Sequence, residues 1–236
     1  MIGLKKRQPF TLKDSLRIDF ALPLNEGAQI EDVQKRLQAL RNLGVKQVVF
    51  VKEPISVTEA DGNFVMPLST DTLATEEGVL VESVPSYWLD EAFETFAKQH
   101  PLVAYRNKYV LLALRNWDSI RGLKGPLFEI RARGYEPVIL HRDPKQYVRM
   151  KVRAVEYLND LGCLLQLDLL TLAGVYGAQA KGRAETLVSK GWIGILTTGI
   201  RSVEDSVHLY EFLLATSSVS AFQQTIEQHF QHINLA

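Results

Sequence analysis

The chain has 236 residues, 46% hydrophobic and 23% charged, enough for one or two globular domains with a large core. Lys plus Arg and Asp plus Glu both number 27, so no net field favours nucleic acid or an anionic membrane surface. The single cysteine, Cys163, excludes a disulfide framework or a cysteine-based metal site within one chain, and its apolar neighbours mark it as a small core residue. No signal-peptide core follows Met1 and no apolar run is long enough to span a bilayer, so the expected address is the cytoplasm.

Residues 1–13 are basic and irregular and read as a surface arm, which with the next two residues precedes a single domain. The first strand is expected over 16–20. A helix follows, with Ile30, Val33, Leu37 and Leu40 at helical spacing and Gly44 as its stop. A second strand over 45–51 is bounded by Lys52-Glu53-Pro54. Residues 55–78 carry little signal; the Asp61-Gly62 pair favours a hairpin or irregular excursion. A weak third strand spans 78–84, and 87–100 reads as a helix with Leu89, Phe93, Phe96 and Ala97 inward.

The fourth strand, 109–114, is strong. Ile120, Leu123, Leu127 and Ile130 mark the next helix, whose start shifts to Pro126 if Gly125-Pro126 breaks it. Strand five at 137–140 leads to a helix reaching Leu161. Strand six at 163–167, a loop at 168–176, a helix carrying Ala180, Ala184, Leu187 and Val188, and strand seven at 192–197 make a parallel crossover unit. Two helical patterns close the chain, one marked by Val203, Val207, Tyr210 and Leu214, the other by Val219, Phe222, Ile226 and Phe230. Strands alternating with helices, without linker or repeat, argue for one α/β domain. A doubly wound open sheet and a barrel fit this pattern equally.

The stretches LLQLDLLTLAGVYG and ILTTGIRS, with YWLDEAF at 87–93, NKYVLLAL at 107–114 and GYEPVILH at 134–141, resemble the bacterial PHP-type protein-tyrosine phosphatases. Those are manganese-dependent enzymes of capsule and exopolysaccharide gene clusters, acting on autophosphorylated tyrosine kinases. The resemblance runs from about Asp19 to Arg201 and implies a distorted seven-stranded (β/α) barrel, TIM-barrel-like, over residues 1–236. Ligands of such folds gather at the C-terminal strand ends.

The resemblance also shows where this chain departs from the family. A cluster of divalent ions needs several His, Asp and Glu donors converging at the strand ends. The family's first-strand Asp-x-His-x-His matches Asp19-Phe20-Ala21-Leu22-Pro23, with neither imidazole. Its Pro-His after strand two matches Lys52-Glu53-Pro54, its Glu-Tyr pair Ser86-Tyr87, and its Glu after strand four Ala113. Only His141 survives from His-Pro-Glu-Arg-Tyr, with two extra residues before Tyr147. The Gly-x-x-Gly loop matches Gly174-Val175-Tyr176-Gly177, and the final Asp-x-His becomes Gly199-Ile200-Arg201. One donor remains, His141, or two if Glu53 turns inward, too few for a catalytic cluster. No catalytic residue, metal or cofactor is therefore expected.

Four cations lie at or just past expected strand ends: Lys52, Arg115, Arg142 and Arg201. Converging, they would make an anion site; diverging, they are ordinary rim charges. His141 reads as a hydrogen-bonded remnant rather than a ligand, Asp168 as a loop-orienting acceptor, and Tyr87 and Trp88 as packing. No nucleophile elbow, P-loop, Cys-x5-Arg or Rossmann glycine run is present. Three functions stay open: a non-catalytic phosphotyrosine- or anion-binding protein with a kinase as partner, a residual metal-dependent phosphatase using His141 and Glu53, and an oligomeric scaffold.

Overall fold

The computed structural model describes residues 18–23, 29–55, 78–115, 117, 120–143 and 145–216. Seven strands are seen among them: β1 (Ile18–Pro23), β2 (Gln47–Ile55), β3 (Leu80–Trp88), β4 (Tyr109–Ala113), β5 (Glu136–Leu140), β6 (Leu164–Asp168) and β7 (Ile193–Thr197). They lie in sequential order, and every neighbouring pair is parallel. A doubly wound sheet reverses its strand order part-way; this one does not. The helices between strands are α1 (Ile30–Asn42), α2 (Glu91–Gln99), α3 (Lys124–Ala132), α4 (Lys145–Arg149), α5 (Val152–Asp160), α6 (Leu169–Ala173) and α7 (Ala178–Ser189), with α8 (Val203–Thr216) after β7.

Alternation along the strands sorts the core into two sets. Phe20, Val49, Val51, Val84, Leu111, Val138, Leu140 and Ile195 pack with Tyr105 and Tyr109 in a cluster that contains no helix residue. This is the filled barrel interior. The alternate residues Val48, Phe50, Val81, Val110, Leu112 and Ile139 join the apolar stripes of the helices, including Leu37, Phe93, Leu127 and Leu187. Period-two alternation puts one set inside the barrel and the other against its helical coat.

The barrel closes through side chains. Asp19, the second residue of β1, accepts hydrogen bonds from Oγ1 of Thr197 at 2.8 Å and the backbone N–H of Thr198 at 2.9 Å, and from the Thr198 hydroxyl. Gln166 of β6 donates from Nε2 to the carbonyl of Phe20 at 3.2 Å. That a residue near the start of β1 meets the end of β7 reflects the register stagger of a closed barrel.

Several sequence expectations need correction. β2 runs on through Lys52, Glu53 and Pro54 to Ile55, because a bulge between Val51 and Pro54 absorbs the proline without ending the strand. β3 extends to Trp88, so Ser86 and Tyr87 are strand residues, and the helix begins only after Asp90, whose carboxylate accepts from Phe93 N. Pro126 sits inside the first turn of α3, which a 3-10 turn at Ile120–Leu123 leads into. The helix expected up to Leu161 is two, α4 and α5, and the loop after β6 contains α6. On α8 the inward residues are Leu209 and Leu213, while Val203, Val207 and Tyr210 are exposed. Ile30 is exposed too. Periodicity gives a helix its pitch, but not which of two apolar stripes faces the core. The N-terminal arm, the 61–62 turn and the pattern at Val219, Phe222, Ile226 and Phe230 lie outside the described residues.

Candidate functional site

Asp168 ends β6 and begins α6, where its Oδ1 accepts from the N–H of Leu170 at 2.8 Å and caps the helix. Burial drives its pKa up to about 7, against the pull of the Leu170 hydrogen bond and the charge of Arg201. Tyr176 brings its hydroxyl within 3.5 Å of Oδ2, and its own pKa is raised by burial. Gly199 packs directly on this carboxylate. With φ at +75° and the space of a β-carbon taken by Asp168, it is a position for glycine.

Asp19 lies beside this pair. Burial raises its pKa; the Thr198 and Thr197 hydrogen bonds and Arg36 oppose the rise. Arg36 of α1 is buried, donates from Nε to the carbonyl of Ile200 at 3.2 Å and faces the Phe50 ring. Desolvation lowers its pKa, with Asp19 pulling the other way. Sequence reading missed Arg36, yet a signal existed: it falls on the apolar stripe of its helix, three residues after Val33 and four before Leu40. Gln166 was missed likewise, a polar residue inside an otherwise apolar strand run.

His141, just past β5, is held on three sides. Its backbone N–H donates to Oε1 of Gln166 at 3.1 Å, its Nδ1 bonds the Gln166 carbonyl, and its ring stacks on Trp117 with centroids 5.3 Å apart. Burial lowers its pKa to about 4, so the ring is neutral at physiological pH, with Nδ1 the protonated nitrogen.

The rim cations divide. Nη2 of Arg142 pairs with Oε2 of Glu53 at 2.5 Å, and Nη1 donates to the carbonyl of Lys52 at 3.1 Å. Ser86 is buried and donates its hydroxyl to that same carbonyl at 3.0 Å. Arg201 donates from Nη2 to the carbonyl of Arg142 at 3.3 Å. Its backbone is fixed because Asp205 accepts from the N–H groups of Arg201 and Ser202, while Ser202 Oγ accepts from Asp205 N, a reciprocal cap on α8. Lys52 is half-buried, which lowers its pKa. Backbone carbonyls thus link Lys52, Arg142 and Arg201 in series, Arg142 reaching Lys52 and Arg201 reaching Arg142. Arg115 is engaged elsewhere: its guanidinium stacks 4.3 Å from the Trp88 ring centroid. Ala113 closes β4, opposite Leu140, and offers no side-chain donor.

Among the described residues no group of three or more His, Cys, Asp or Glu is placed to hold a metal ion. Glu53, the conditional second donor, turns to Arg142 instead of inward. The oxygens of Asp19 are taken by two threonines, and Gly199 has no side chain to offer. Among the described residues, these positions therefore offer few donors of the kind a divalent ion takes that are not already engaged. Cys163 is buried, its thiol pushed up to about 12 by desolvation, and is chemically quiet.

The profile of the family described as "Capsular polysaccharide synthesis, CpsB/CapC" matches residues 70–206. The chain belongs to the CpsB/CapC family. Among solved structures, it resembles a chain from the work on YwqE of Bacillus subtilis and CpsB of Streptococcus pneumoniae, described as unique metal-dependent tyrosine phosphatases. The TM-score is 0.68 at 17% identity, covering 90% of this chain and 93% of that one. A Campylobacter jejuni dihydroorotase shares the fold more distantly, at TM-score 0.51 and 10% identity over 97% of this chain and 87% of its own. No curated protein matches this CpsB/CapC chain. Its fold is the PHP-type, TIM-barrel-like barrel. No helix among its described residues is long and apolar enough to cross a membrane.

Proposed function

We propose that this CpsB/CapC barrel does not hydrolyse phosphate esters but binds an anion at its mouth, foremost a phosphotyrosine segment such as a tyrosine kinase tail. The observation that carries this reading is the approach of Arg201 to Arg142 across the ends of β5 and β7, where the Arg201 guanidinium donates to the Arg142 carbonyl at 3.3 Å. At these strand ends the resembling phosphatases carry acidic and imidazole donors. Gly199 and Arg201 replace an anion and a neutral donor with a glycine and a fixed cation. Binding needs only positive charge and hydrogen-bond donors, whereas hydrolysis also needs an activated water. The donor set around His141 supports the same reading, since its one imidazole is tied to Gln166 and Trp117. We place this role in the cytoplasm, in the regulation of capsule or exopolysaccharide synthesis.

The test is a titration of inorganic phosphate, phosphotyrosine and a tyrosine-phosphorylated peptide against wild type and Arg201→Ala, at low and moderate salt. Wild type should bind, with affinity falling as salt rises, and Arg201→Ala should bind several-fold more weakly. Equal binding by both proteins, or none by either, removes the anion site and leaves an oligomeric scaffold as the reading to pursue.

A further inference from the structure

The Arg142–Glu53 pair is asymmetric. The arginine side chain is 14% exposed and the glutamate 44% exposed, so water reaches the carboxylate far more readily than the guanidinium. Removing the carboxylate alone would strand a largely buried cation, which is costly unless another anion takes its place. Glu53 also stands in the β2 bulge, where the register with β3 jumps from Val51–Val84 to Pro54–Ser86. Such a residue is out of the regular ladder, and its side chain is the easier one to re-aim. Arg142 makes a second contact through its other terminal nitrogen, from Nη1 to the Lys52 carbonyl at 3.1 Å.

Resting on the anion-binding reading above, we infer that Glu53 is a tethered counter-anion that occupies the Arg142 fork at rest and must be displaced by the incoming ligand. A device of this kind sets a charge threshold. A monoanion exchanged for a carboxylate gains little, because one unit of negative charge replaces another. A dianionic phosphomonoester brings more charge and three acceptor oxygens, and Arg201, whose Nη2 bonds the backbone carbonyl of Arg142, is the next cation along this rim. The ligand class selected is the phosphomonoester, against sulfate esters and carboxylates of the same shape. In the other direction, Glu53 keeps a rim arginine from holding the smaller anions of its surroundings.

The experiment compares wild type, Glu53→Gln and Arg142→Lys with phosphotyrosine and sulfotyrosine, at about pH 8 so that the phosphate is fully dianionic. Wild type should prefer phosphotyrosine. Glu53→Gln should bind both ligands about tenfold more tightly and lose much of the preference. Arg142→Lys, which keeps charge but not the planar fork, should weaken both. Glu53→Ala repeats the test should the glutamine variant fold poorly, with thermal unfolding as the control. Unchanged affinities in Glu53→Gln, while Arg201→Ala still weakens binding, would reject the tethered anion and keep the site. Binding by Glu53→Gln but not by wild type would support it strongly. No binding by any of these proteins would instead reject the anion site itself, and the inference with it.

Discussion

A β-carbon placed on Gly199 would stand 2.0 Å from Oδ1 of Asp168 and 2.3 Å from its carboxyl carbon. The end of β7 and the end of β6 are therefore in contact, backbone against carboxylate. The close approach exists only because residue 199 has no side chain.

Gly199→Ala should accordingly be costly on two counts. The backbone is in the left-handed region, at φ +75°, and the new methyl would meet a buried carboxylate held by the Leu170 amide. Together these should remove roughly 2–4 kcal/mol of stability. Urea unfolding measures it, and an Asp168→Gly background should recover part of the loss because the collision partner is gone. An unfolding midpoint that does not move in Gly199→Ala would show that the contact relaxes freely.

The pH profile of stability should reveal two opposed buried groups. His141 has a folded pKa of about 4 against an ordinary 6.5, so the benefit of its neutral ring is present above pH 6.5 and lost as pH falls towards 4. Asp168 has a folded pKa of about 7 against 3.8, so its contribution is full below 3.8 and lost as pH rises through 7. Over the shared window the two slopes oppose each other, and Asp19, whose pKa burial also raises, adds to the Asp168 side. Relative to wild type, Asp168→Asn should gain about 3 kcal/mol of stability between pH 4 and 6.5, because the Asp168 slope is removed. His141→Gln should show the reverse slope. Unfolding of the three proteins at half-unit steps decides it, and superimposable profiles would contradict the assignment.

Manganese offers a third check. With Asp19 bonded to Thr197 and Thr198 and His141 to Gln166, the purified protein should carry no stoichiometric manganese by elemental analysis. It should hydrolyse aryl phosphates no faster than a blank, because neither nucleophile generation nor charge neutralisation has the donors it needs. Manganese-stimulated turnover that disappears in His141→Ala would restore the residual-phosphatase reading.

Much of the fold is legible before any coordinate is known. Alternating apolar residues, helical spacing and the glycine stops place the described strands and most helices to within a few residues. These signals are local, set by the pitch of a helix and the pleat of a strand. The boundary errors have local causes as well. Pro54 reads as a terminator but pairs with Ser86 just after a bulge, and Ser86-Tyr87-Trp88 continue β3 rather than opening a helix.

By itself the sequence determined which donor types stand at each strand end: alanine at 113, glycine at 199, arginine at 201 and one histidine at 141. Only the tertiary structure decided what those residues do. Arg115 turned to Trp88, Glu53 to Arg142, and Arg142 to the Lys52 carbonyl, none of which follows from spacing. Asp19 meets Thr198, and Arg36 meets Ile200, across separations of 179 and 164 residues. Those contacts depend on the stagger with which the barrel closes, a property of all seven strands together. Periodicity records the neighbours along an element; convergence at a mouth is set by the register between elements.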